Sequence, residues 1–331
     1  MDFLYDVAIK NGDIIDPLSG NKEKKNIYIK DGVFVACHGS GNARYSIDAT
    51  GKYVMPGLID AHAHVYMGGS DVSVNPATVM VHQGITTVVD AGTAGTGTLL
   101  GLIGEMATAP LRIKAFLNVS PSGLATSRRR YPVDPADWDR SRMIQAFREH
   151  GDKLLGLKFM AGKERINDLG PLKACVTLAD ELNVPIAVHC TNPPESMAKL
   201  AGMLRKGDIL AHCYHGKGSS IIDDNGKVRP EVKAARERGV VMDASNGFAH
   251  FSYSVAEAAM GEGFFPDIIA TDLTAVTLYK EPVFGLPHIM SKYLMLGMPL
   301  MEVVRCCTSR AAEICCMSDR LGNLRTEVWR M

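Results

Sequence analysis

His62-Ala63-His64 sets two imidazoles two residues apart. Side chains alternate along an extended strand, so both rings leave the backbone on one side and Ala63 leaves on the other. Four further ionisable residues each stand at the end of an apolar stretch: Lys158 in GLKFMAG, His189 in IAVHC, His212 in ILAHC and Asp272 in IIATD. A lone buried histidine is most often a hydrogen-bonded core residue. Several imidazoles gathered with oxygen donors instead suit a divalent cation, zinc first and manganese as an alternative. A cation beside water and a carboxylate is equipment for hydrolysis.

These residues act together only if the chain brings them to one place. Residues 1–52 hold short alternating segments, Tyr5 to Lys10, Asn26 to Lys30 and Val33 to Ala36, with turn signals at Asn11-Gly12 and Asp31-Gly32. That pattern predicts a small β domain. From Tyr53 onward apolar β-type runs alternate with helical stretches, the mark of a parallel sheet with crossover helices. The runs lie near 53–64, 86–91, 113–119, 154–160, 185–190, 208–214, 240–244 and 267–272. Eight runs predict an α/β fold of the (β/α)8 TIM barrel type over residues 53–317, after the small N-terminal β element and before a tail over 318–331.

Local signals agree. Asn75 before Pro76 offers a helix cap and a favoured first helical residue. Leu172, Cys175, Val176, Ala179 and Leu182 recur at helical spacing, one stripe able to cover a barrel wall. The intervals from His64 to Lys158, to His189, to His212 and to Asp272 are 94, 31, 23 and 60 residues, against roughly 30 per strand-helix unit in this fold. The candidates then fall on strands one, four, five, six and eight, where such enzymes carry catalytic groups.

Lys plus Arg equals Asp plus Glu at 36 each, so no net field draws the chain to nucleic acid or an anionic membrane. A small-molecule substrate is the expected partner, with a homo-oligomer possible. No signal peptide or membrane span is visible in the sequence, and the eight cysteines do not form the framework of a secreted scaffold. A cytoplasmic setting is expected.

PGLIDAHAH, an inward lysine, two separate strand-end histidines and a late aspartate together resemble the amidohydrolase superfamily of binuclear metal hydrolases, over nearly the whole chain. VMPGLIDAHAHVY, GITTVVDAGTAG and PDIIATDLT look most like its amidohydrolase/deacetylase metallohydrolase group, related to dihydroorotases and adenine deaminases. The resemblance implies that His62, His64 and Asp272 hold one metal and His189 and His212 a second. It implies that Lys158 bridges the two. An ammonium has no lone pair, so that bridge requires a carbamate formed from carbon dioxide. Asp272 would also be the catalytic residue, taking a proton from a hydroxide-forming water shared by the metals and passing it to the leaving group.

The implied reaction is cleavage of an acyl amide or ester, deacetylase-like, in a small carboxylate-bearing molecule. Two alternatives stand beside it: a cyclic amidase of the dihydroorotase or hydantoinase sort, and a barrel scaffold without catalysis. Asn192, His215, Ser245, Asn246 and His288 lie near expected mouth loops and are candidates for substrate contact. Arg128, Arg129 and Arg130 could meet a carboxylate. Asp60 shares its strand face with His62 on the alternation rule and either orients a ligand or ends the strand. Cys190 and Cys213 should turn toward the helices, and Cys306, Cys307, Cys315 and Cys316 should pack. The group's arginine after the bridging lysine and its Gly-His-Gly after strand seven are absent. Phe159-Met160 and Ser245-Asn246-Gly247 stand in their places, which leaves substrate choice open. Members of the resembling group return after the barrel to finish the small β domain, whereas this sequence stops at GNLRTEVWRM, so the N-terminal β element of residues 1–52 is expected to be incomplete, with an exposed edge.

Overall fold

The two textures along the chain become two sheets. The computed structural model describes residues 3–39, 41–126 and 133–326; Arg128, Arg129 and Arg130 lie outside the described residues. The first sheet contains β1 (Tyr5–Asp16), β2 (Asn21–Lys30), β3 (Val33–Val35), β4 (Ala43–Asp48) and β5 (Tyr53–Val54). Its order is β3-β2-β1-β4, with β5 also pairing β1. Asp31 and Gly32 both take positive φ, 52° and 78°, closing the β2-β3 hairpin as expected. The turn expected at Asn11-Gly12 is instead a bulge. Asn11 is left-handed (φ 64°), yet β1 runs on through it with a register shift between Ile9 and Gly12. Tyr53 and Val54, expected to open the barrel, pair with Asp13 and Ile14 of β1. On β4, Tyr45 and Ile47 remain more than half exposed.

The second sheet is the barrel: β6 (Leu58–Ala63), β7 (Ile85–Asp90), β8 (Arg112–Asn118), β9 (Leu154–Met160), β10 (Ile186–His189), β11 (Ile209–Ala211), β12 (Val241–Ser245) and β13 (Ile268–Ala270). Each strand pairs in parallel with the next. The ring closes between β13 and β6 through Asp272 N–H to His62 O (2.7 Å) and His64 N–H to Leu273 O (3.1 Å). Thus the seam of the barrel passes through three of the candidate residues.

Crossover helices cover the outside. Asn75 caps the helix Pro76–Val79, its side-chain oxygen accepting from Ala77 N–H. The helix Gly170–Leu182 buries Leu172, Cys175, Leu178 and Ala179 against the wall and stops at Asn183, left-handed at φ 53°. Inside the barrel, toward the strand starts, Ile59, Ala61, Val89, Phe116, Leu155, Ala187, Ile209 and Ile268 form an apolar cluster. The helix Ser309–Ile314 plugs that end with Ala311 and Ala312, and Cys315 follows. Ile59 N–H donates to Cys307 O there. Cys306, Cys307 and Cys315 are buried and Cys316 is exposed; all are free thiols, and they serve as small apolar packing groups.

Candidate metal centre

At the other end of the barrel the interior turns polar. His62, His64, Lys158, His212 and Asp272 are each less than 9% exposed, far from the usual place of charged groups. The ligand atoms of His62, His64 and Asp272 lie within 4.8 Å of one another, with His64 Nε2 3.2 Å from Asp272 Oδ1. Lys158 Nζ lies 3.3 Å from His62 Nε2. The His62 and His212 rings are 4.9 Å apart and those of His189 and His212 4.6 Å. All six residues expected from the sequence therefore meet at one place.

Backbone details deliver them there. Lys158 projects from within β9, and its stem passes over Gly92, where a Cβ would stand 2.3 Å from the lysine Cβ. His189 ends β10. His212 lies one residue beyond β11, not inside it, and alternation from the inward Ile209 would turn it outward. Its left-handed φ of 66° swings it back to the site. Asp272 is likewise left-handed, at φ 51°. Such conformations are uncommon for residues with a side chain and concentrate at functional sites.

The hydrogen bonds fix which ring nitrogen faces inward. His62 Nδ1 donates to Asp243 Oδ2 (2.7 Å) and His212 Nδ1 to the Ser245 carbonyl (3.0 Å). His64 Nδ1 pairs with Thr93 Oγ1 at 2.8 Å. With Nδ1 engaged, Nε2 of each ring offers its lone pair, the arrangement found in metal sites. Burial, with the nearby Lys158 and neighbouring imidazoles, holds His62 well below the usual histidine range, and burial does the same to His189 and His212. These rings are neutral and can ligate. Burial also lowers Lys158, and among the described residues no acid forms an ion pair with it. Burial of the amine eases loss of its proton, against the attraction of Asp272, Asp243 and Asp90. The donor set fits a divalent cation.

Several positions differ from expectation. The register slips between Asp60 and Ala63, so Asp60 does not aim at an imidazole. It accepts from Thr271 N–H (3.0 Å) and Oγ1 (2.6 Å) and thereby anchors the backbone just before Asp272. Burial pushes its pKa up to about 6, while the two Thr271 bonds pull the other way. The carboxylate behind His62 is Asp243, which also closes an apolar run, VMDAS, and so carried the same strand-end signal as Asp272. Cys190 and Cys213 point into the outer core as expected.

A cavity of about 350 Å³ opens above the centre, within the range of small-molecule sites. None of the five residues expected to touch substrate lines it. Ser245 and Asn246 are buried behind it, Ser245 donating to Asp243 and Asn246 to the Ala244 and Ala270 carbonyls. His215 is buried, with its Nδ1 accepting from Lys217 N–H. Asn192 donates to Glu164. His288 is exposed on the helix Leu286–Met295 and its ring packs at a tilt against Phe284. The walls instead bring Arg165, Lys217 and Glu164 together with Val72, Leu124, Met160 and Phe248, and His250 also faces the cavity. Apart from Met160, which ends β9, these come from loops, where neither periodicity nor strand-end position marks a residue.

The amidohydrolase family model matches residues 53–326. A deacetylase of Agrobacterium fabrum is 36% identical over 274 residues, covering 81% of this chain and 67% of that protein. The crystal structure of an adenine deaminase superposes with a TM-score of 0.89 at 28% identity, over 98% of this chain and 88% of the other. The crystal structure of a dihydroorotase gives 0.83 at 32% identity, over 96% and 86%. Barrel, metal-compatible side chains and sequence similarity agree: the chain belongs to the amidohydrolase family and is a hydrolase.

Proposed function

We propose that this chain is a deacetylase-like hydrolase that removes an acyl group from the nitrogen or oxygen of a small carboxylate-bearing molecule, using two divalent cations. The observation that carries the reading is the convergence of two imidazole-containing groups and Lys158 on the floor of one cavity. His62, His64 and Asp272 would hold one cation, His189 and His212 the other, and Lys158, as a carbamate, would bridge them. Zinc suits these donors best. When bound, such cations polarise a carbonyl oxygen and lower the pKa of water toward ~7.

The chain's own residues do the rest. Asp272 lines the cavity and would accept the proton of the attacking water and return it to the leaving nitrogen or oxygen as the carbon–heteroatom bond breaks. Asp243 and Thr93 hold the His62 and His64 rings in orientation. Arg165 and Lys217 give the wall positive charge for a substrate carboxylate, and Leu124, Met160 and Phe248 offer apolar contact. The similarity to the Agrobacterium fabrum deacetylase supports acyl cleavage. The likeness to a dihydroorotase structure favours a second reading, hydrolysis of a cyclic amide. Incubating zinc-loaded enzyme with N-acetyl and O-acetyl carboxylates, and separately with cyclic imides, decides between them. Acetate release supports the first reading, whereas reversible ring opening without acetate release replaces it with the second.

A further inference from the structure

His250 sits in the loop after β12 and belongs to none of the positions assigned above. One ligand nitrogen from each of His189, His212 and His250 lies within 4.8 Å of the others. Ring centroids are 4.9 Å apart for His189 and His250 and 4.3 Å for His212 and His250. Thr191 Oγ1 pairs with His250 Nδ1 at 2.9 Å. The other nitrogen, Nε2, is left on the Asp272 side, 3.9 Å from Asp272 Oδ2.

The loop is built for this approach. Gly247 N–H donates to Thr271 O and His250 N–H to Asn246 O. At Gly247 (φ 52°) a Cβ would stand 2.2 Å from Asp272 Oδ2 and 2.7 Å from His250 Cδ2. Only a residue without a side chain lets the loop come this close.

Three histidine nitrogens gathered this closely in a buried pocket form a donor group that a cation among them would satisfy. Three histidines are a complete protein ligand set for zinc-like cations. We propose that His250 is a third protein ligand of the cation held by His189 and His212, so that this position keeps its metal without the Lys158 bridge. The inference rests on the two-cation reading, and it predicts unequal dependence of the two positions on Lys158.

The test is a zinc titration of chelator-stripped full-length protein, with bicarbonate present and a chromophoric chelator as competitor. Cobalt absorption spectra are recorded in parallel. Wild type should take two equivalents. His250→Ala and His250→Gln should each weaken one of them by roughly 100-fold or more and change the cobalt spectrum, with the thermal unfolding of the metal-free proteins showing that they fold. Lys158→Ala should keep one equivalent, and the double variant Lys158→Ala/His250→Ala should lose it. If both His250 variants titrate as wild type does, the proposal is overturned. A wild type that binds one equivalent ends the two-cation reading; His250 then stands as a ligand only if its loss weakens that equivalent, and falls if it does not. A wild type that binds no zinc overturns both.

Discussion

The same eight strands line two regions of the barrel interior with opposite chemistry. Toward the strand starts, Ile59, Phe116, Leu155, Ile209 and Ile268 pack against Ala311, Ala312 and Cys315. Toward the strand ends, His62, Lys158, His189, His212, Asp243 and Asp272 crowd together, with His62 meeting Asp243 through one ring nitrogen and Lys158 through the other. The plug gains free energy from each apolar surface removed from water, about 1.5–3 kcal/mol for a large side chain. The rim gains nothing of the kind. Part of its polar surface is satisfied from behind, where Asp243 accepts from His62 and Ser245 and the Ser245 carbonyl accepts from His212. Stability is concentrated at one end, and reactivity at the other.

That contrast can be broken by substitution. The largest effect should come from Asp272→Asn, which lowers turnover by ~10³-fold while changing the unfolding free energy by less than about 1 kcal/mol. Steady-state kinetics and urea unfolding on the same preparation check it; a fully active variant would remove Asp272 from the proton transfer. Phe116→Ala should do the reverse, destabilising the fold by about 3–5 kcal/mol with kcat within a few-fold of wild type at a temperature where it stays folded. Equal losses in both measurements would mean that plug and rim are not separable.

A third probe lies just outside the rim. The Lys292 ammonium rests over the Phe251 ring at 3.6 Å and donates to Asn246, and burial lowers its pKa from 10.5 to about 8. Between those values the unfolded chain binds more protons than the folded one, so stability rises with pH. The favourable contribution is complete above about 10.5 and lost as pH falls through about 8. Relative to Lys292→Met, wild type should gain about 3 kcal/mol from pH 7 to pH 11. Denaturant unfolding of both proteins across that range checks it; a constant difference would show that the folded and unfolded lysines titrate alike. The smallest effect is expected for Asp243→Asn, which disturbs the partner of His62 Nδ1 and should weaken zinc binding roughly 10- to 100-fold, measured by chelator competition. Unchanged affinity would leave Asp243 a structural role alone.

The barrel was largely legible because its signal is local and repeated. Apolar runs spaced like strand-helix units overlap the eight observed strands, and the candidates Lys158, His189, His212 and Asp272 follow such runs, as Asp243 also does. The residues expected to touch substrate lie off the cavity wall for a different reason. Nearness in sequence to a strand end does not say whether a loop residue faces the cavity, as Phe248 and His250 do, or turns behind it, as Asn246 does. Asn11-Gly12 failed likewise, since a left-handed residue serves a bulge as readily as a turn.

By itself the sequence determined the alternation of strands and helices and the identity of the six polar residues gathered in the barrel, because hydrophobic period and residue chemistry are properties of short segments. Tertiary structure decided which acid stands behind His62, how His212 turns inward after its strand has ended, and that His250 joins the same cluster from a loop. Those outcomes depend on register slips, on left-handed backbone at single residues and on the space left by Gly92 and Gly247. Each is set by the packing of segments distant in sequence, and even the strand-end position of Asp243 does not say which ring it meets.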